Sequence, residues 1–145
     1  MKNKKIIGET DYNYEKSFWS KIEKGLVKYS CISSNFDNSS DIRKDMNFQR
    51  KYKGFYRMRK NQYFCDRYFK IMHENKNVVD LDFCSMINKI YKIECKKETS
   101  FTSKLMATIN TNLPVWDSKV VKYISTHFKF LPKKIKTIDD ACYNY

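Results

Sequence analysis

Lys104 and Asp117 are the two residues whose types and setting in this chain point to a reaction. Both lie in SFTSKLMATINTNLPVWDSKVVKYI, residues 100–124, where residue order and not composition alone suggests chemistry. A lysine amine becomes a nucleophile once it has lost its proton, and an adjacent carboxylate can stabilise a developing cation or position the amine. Burial beside apolar groups lowers an amine's pKa toward the range where it can attack. The same two residues also fit an exposed helix lysine and an ordinary helix cap. Sequence leaves both readings open.

Three elements must position the pair. Phe101, Leu105, Met106 and Ile109 put an apolar face on a helix of about three turns that Asn110-Thr111-Asn112 ends. Leu113-Pro114-Val115-Trp116 cannot extend it, because proline holds the preceding residue in extended conformations. Asp117 stands where an N-cap is expected, and Val120, Val121 and Ile124 form the buried face of the next helix. The spacing predicts an antiparallel helix pair that closes on the Pro114 corner.

The rest of the chain bounds the setting. With 145 residues, 41% of them apolar and 16% aromatic, the chain is expected to fold as a single helical domain over 1–145 without metal or disulfide staples. Glycine (3) and proline (2) are too scarce for a turn-rich sandwich or barrel, so the predicted class is all-α, a compact bundle of about five to seven helices. The formal charge of +13, from 29 Lys and Arg against 16 Asp and Glu, calls for a polyanionic partner, with nucleic acid ahead of anionic lipid. A lysine- and asparagine-rich proteome is the plainer explanation of the same charge.

Five cysteines (Cys31, Cys65, Cys84, Cys95, Cys142) occur without ligand spacing, which argues against structural zinc and for reduced, buried thiols. His73 and His127 are isolated, and no glycine-rich phosphate loop is present. No cofactor or metal is expected. No run reaches membrane-spanning length or forms a signal peptide, so no membrane association is expected and the protein is placed in the cytoplasm.

Along the chain, residues 1–12 read as a flexible lead-in. Phe18, Trp19, Ile22, Leu26 and Tyr29 predict a first helix over about 13–29 with these residues as its core face, followed by a Ser30–Ser40 loop. Gly54 is read as a break between a short helix around Ile42 and Met46 and a second one reaching His73. Val78 to Ile93 gives another helix, with Val79 on its core face. Thr137 is an expected N-cap near the C-terminus. Within residues 41–72, the most basic and most aromatic stretch of the chain, Arg43, Lys44, Arg50, Lys51, Lys53, Arg57, Arg59 and Lys60 cluster with Tyr52, Tyr56 and Tyr63 interleaved. Cations and aromatics in this mixture suit a surface that neutralises phosphates and stacks bases, or equally a solvated basic face over core aromatics.

Residues 100–124 resemble the catalytic part of the helix-hairpin-helix DNA glycosylase superfamily, within it the 8-oxoguanine-glycosylase-like proteins of prokaryotes. The matching residues are Lys104 near the start of a helix, then Pro114, Val115 and Asp117 at the corner opening the next, with Trp116 between the valine and the aspartate. The resemblance implies a helix-hairpin-helix-glycosylase-like C-terminal half, double-stranded DNA as partner, and base excision at a modified or damaged base. Lys104 would be the nucleophile and Asp117 its electrostatic partner. Where the family holds phosphate on glycine N–H groups, this chain has Ser100, Thr102 and Ser103, whose hydroxyls and N–H groups would take that role. The alternative expectation is a non-enzymatic nucleic-acid-binding protein or a phage- or defence-related interaction protein. A helical adaptor for an acidic protein partner is a third.

Overall fold

A computed structural model describes residues 9–128 and 137–145. Among these residues there are seven helices and no strand, which is the all-α class expected. The chain divides into two units, one ending at Asn38 and the other spanning Ser39–Tyr145.

The described part of the first unit is the single helix α1 (Glu9–Asn38). The predicted loop from Ser30 is therefore helical almost to its end, and Asn35 and Asn38 bond one turn back, to the Cys31 carbonyl and the Ser34 hydroxyl. Residues 9–12 of the expected lead-in also belong to this helix; residues 1–8 lie outside the described part. Phe18, Trp19, Ile22 and Leu26, expected in a core, are exposed.

The second unit holds α2 (Met46–Tyr56), α3 (Gln62–Glu74), α4 (Phe83–Glu94), α5 (Thr99–Ile109), α6 (Ser118–Phe128) and α7 (Ile138–Asn144). Its main packing runs through α4, which meets α3, α5 and α7. Helix α2 runs through Gly54, which keeps a negative φ, and stops at Arg57 in the left-handed region (φ 51°). The Arg57 and Met58 N–H groups both reach back to the Lys53 carbonyl, which satisfies an orphan acceptor of the last turn. The Asn61 side chain then caps α3 by accepting from the Phe64 N–H at 2.8 Å. Asp82 caps α4 in the same way, accepting from Ser85 N–H, so α4 starts later than the apolar pattern suggests and Val79 stands outside it, 81% exposed.

Aromatic rings make the core of this unit. Phe48, Tyr52, Phe64, Tyr68 and Phe69 are fully buried and touch edge-on, tilted or stacked. Tyr68 donates its hydroxyl proton to the Phe101 carbonyl at 2.8 Å, so the Tyr52 hydroxyl, 2.7 Å away, donates to Tyr68. Burial, followed by the neighbouring Tyr52, pushes the Tyr68 phenol well above its ordinary range. Of the two readings of Tyr52, a stacking surface for bases or a core aromatic behind a basic face, the structure shows the core aromatic.

The cysteines depart from the expectation of reduced, buried thiols. Cys84 and Cys142 are paired, with Cα atoms 5.3 Å apart, which ties α7 to α4. Cys31 and Cys95 are exposed; only Cys65 is a free buried thiol. Tyr145 stacks on Phe83 and donates to the Pro114 carbonyl at 3.0 Å, a second tie on the C-terminus. Thr137 and Asp140 form the capping box of α7, as Thr137 leads one to expect. No helix among the described residues is long and apolar enough to cross a membrane.

Candidate functional site

Helix α5 carries Lys104 and is anchored at several points. At its start, Lys60 donates to Glu94 at 3.0 Å and to Glu98, joining the entrance of α3 to the end of α4 and the cap position of α5. In its first turn, the Phe101 carbonyl takes the Tyr68 hydroxyl, and the Phe101 ring lies against Phe64 and Tyr68. Two residues on, Ser103 reaches across to the corner: its hydroxyl accepts from Trp116 N–H at 2.9 Å and lies 3.1 Å from the Trp116 carbonyl and 3.0 Å from that of Ser100. The main packing partner of α5 is α4; the link to α6 is made at the corner.

Asp117 follows Trp116 and caps α6, its Oδ1 accepting from Lys119 and Val120 N–H groups at 2.9 and 3.1 Å. The cap predicted from sequence is therefore present. Lys104 is half-buried and folds back along its own helix to donate to Ser100 Oγ at 2.9 Å, its amine 5.6 Å from the Tyr56 ring centre and 5.5 Å from that of Phe101. Burial pulls the amine below the ordinary lysine range, and the Asp117 carboxylate, acting through space, opposes part of that shift. The corner thus brings the carboxylate into electrostatic range of the amine while committing it to the helix end.

The three hydroxyl residues expected at phosphate have different surroundings. Ser100 is partly exposed and bonded to Lys104. Thr102 and Ser103 are fully buried, Thr102 donating to the Glu98 carbonyl at 2.9 Å and Ser103 holding the corner, so neither faces a ligand in solvent.

The predicted basic cluster is also divided. Arg43 binds Asp41 in a fork, with contacts of 2.8 and 2.9 Å, and this bond, with Arg43's charge, lowers the Asp41 carboxyl to about 2. His73, read as isolated, has its Nδ1 3.9 Å from Asp41. Lys60 is an internal ion-pair centre: burial pulls its amine down, but bonds from Glu98 and Glu94 raise it overall. Arg50 and Lys53 share a shallow depression with Asn47 and the exposed Met46, and Lys44, Arg57 and Arg59 are exposed. Lys51 is half-buried.

Sequence reasoning did not single out a second basic surface between α3 and α4. Tyr63, Arg67 and Lys70 recur at i, i+4 and i+7 on α3, and Lys89 and Lys92 at i and i+3 on α4. They line an open groove of about 270 Å³ with Ile71, Ile93 and Glu74. The signal was present as helical spacing on the faces opposite the core.

Among the described residues no group of three or more His, Cys, Asp and Glu side chains could hold a metal ion. No protein-family model, curated protein or solved structure matches the chain.

Proposed function

We propose that the chain is a DNA-binding protein of base-excision type that acts in the cytoplasm on a modified or damaged base, with Lys104 as the nucleophile. The supporting observation is the Lys104 amine, desolvated beside two aromatic rings, hydrogen-bonded to Ser100 and within electrostatic range of the cap carboxylate of Asp117. In the reaction, the neutral amine attacks C1′ of an extruded nucleotide, and the bond from C1′ to the base nitrogen breaks with its electron pair on the base. The proton released by the attacking nitrogen passes to the departing base. Opening of the sugar ring then gives a Schiff base between Lys104 and C1′. Asp117, fixed on two helix N–H groups, acts as a stationary negative charge that favours the cationic sugar.

Borohydride reduces such a Schiff base to a stable secondary amine. Duplex DNA carrying abasic or 8-oxoguanine sites should therefore be trapped on the wild-type chain and not on Lys104→Gln. Absence of an adduct with wild type, or an undiminished one with Lys104→Gln, refutes the lysine mechanism.

A second reading keeps the nucleic acid and drops the reaction. It is favoured by the hydrogen bond of Lys104 going to Ser100, while the Asp117 carboxylate is engaged as a cap. On that reading, binding falls as salt rises and is unchanged in Asp117→Asn.

A further inference from the structure

We propose that the groove between α3 and α4 binds single-stranded nucleic acid, with Arg67, Lys70, Lys89 and Lys92 on the phosphates and Tyr63 stacked on a base. The proposal rests on the nucleic-acid part of the reading above and is independent of the Lys104 reaction.

Four cations from two helices face one groove that contains a single carboxylate, Glu74. That carboxylate pairs with Lys70 at 3.8 Å, and both side chains are half exposed, so the pair is screened and exchangeable. Lys89 donates to Asn75 Oδ1 at 3.2 Å, a neutral partner that leaves its charge uncompensated by that bond. Such convergence concentrates positive potential where a polyanion backbone would run.

Tyr63 decides which polyanion fits. It is 56% exposed, and the Arg67 guanidinium lies 5.5 Å from its ring centre. A ring so placed offers a face to a free base, with the arginine adding a planar cation beside it. A duplex keeps its bases stacked inside and shows only their edges, so it can use the lysines but not the tyrosine. Groove cations combined with an exposed ring therefore fit a single strand. The half-buried Ile71 and Ile93 supply apolar lining against which sugar and base edges can rest.

The test measures binding of a fluorescent oligothymidylate and of a hairpin duplex to the full chain by anisotropy over a salt series. Tyr63→Ala should weaken single-strand binding roughly 5- to 150-fold and leave duplex binding unchanged. The double variant Arg67→Gln/Lys92→Gln should flatten the plot of log affinity against log salt by about 1.4, since each lost phosphate contact removes about 0.7 from the slope on a single strand. All three side chains are exposed, so the variants keep the core. Lys104→Gln should bind the single strand like wild type, even where it abolishes trapping. Unchanged single-strand affinity in Tyr63→Ala, an unchanged slope in the double variant, or loss of single-strand binding in Lys104→Gln each overturns the groove assignment.

Discussion

Replacing Ser103 with alanine separates the two roles this residue could have. Its hydroxyl is fully buried, accepts the Trp116 N–H and approaches the Trp116 and Ser100 carbonyls with one proton to share. Alanine fills nearly the same volume, so the loss is polar and not steric. The Trp116 N–H is left without its partner at about 1–3 kcal/mol, and the shared donor bond removes roughly 1 kcal/mol more. A total near 2–4 kcal/mol is a large part of an ordinary domain's stability of about 5–15 kcal/mol, and corresponds to a fall in Tm on the order of 10 °C. Urea unfolding followed by circular dichroism would show it as a lower midpoint with an unchanged slope. The corner also places Asp117, so on the proposed lysine mechanism borohydride trapping should fall at temperatures where the variant remains folded. A contact with phosphate predicts the reverse: unaltered stability with weaker DNA binding. A midpoint that moves by less than the equivalent of about 0.5 kcal/mol, the size of an ordinary surface substitution, refutes the corner argument.

Three further outcomes follow from the same contacts. Lys60→Met should destabilise the fold by about 2–4 kcal/mol in urea, because the side chains of Glu94 and Glu98, 16% and 19% exposed, lose their shared cation. The same variant should leave the salt dependence of nucleic-acid binding unchanged, and a flattened slope would return Lys60 to the binding surface. The Asp41 carboxyl should titrate near 2 by NMR and not at the ordinary 3.8, chiefly because of its hydrogen bond from Arg43. Its folded pKa is depressed, so its contribution to stability is complete above pH 3.8 and is lost as pH falls through about 2. Arg43→Gln should return the titration toward the ordinary value; an unshifted wild-type carboxyl would contradict the fork. Cys142→Ser should lower stability by about 4 kcal/mol if closure of the loop sets the gain, given the separation of 58 residues between the paired cysteines. Adding reductant should lower the wild-type Tm and leave that of the variant alone; equal responses would refute the tie.

Short-range signals in the sequence were readable because their partners lie within one turn. Asp117 and Thr137 cap helices through backbone N–H groups two or three residues away, and a local pattern contains everything such a cap needs. Proline at 114 likewise stops α5 from continuing, whatever packs against it. Lys60 shows the opposite case. It sits in a run of cations and looked like one of them, yet its partners are 34 and 38 residues away. Tyr52 is similar, because only the position of Tyr68, 16 residues on, makes it a core hydroxyl. In α1, a serine- and asparagine-rich composition suggested a loop, but Asn35 and Asn38 bond back to the preceding turn and leave the helix intact. The cations of the α3–α4 groove are thinly spread in sequence and converge only when two helices lie side by side.

The position of Lys104 is difficult to explain as ordinary surface solvation. A free lysine on an exposed helix face keeps its ammonium in water, where its rotamer entropy of about 2 kcal/mol is also retained. Here the stem folds back one turn, the amine is bound to Ser100, and burial shifts its proton equilibrium toward the neutral form. Burial works against the charged state that an ordinary ion-pair lysine would favour, whereas the bond to Ser100 and the two rings accommodate the ammonium. The segment is also no fraying end, since Lys60, Tyr68 and the Ser103 corner hold α5 from three directions. Had the cap carboxylate closed directly on the amine, it would have raised the pKa and blocked the line of attack. Held instead on Lys119 and Val120 N–H groups, Asp117 reaches the amine only through space and offsets part of the fall in its pKa; on the proposed lysine mechanism this separation keeps the neutral nitrogen open to attack.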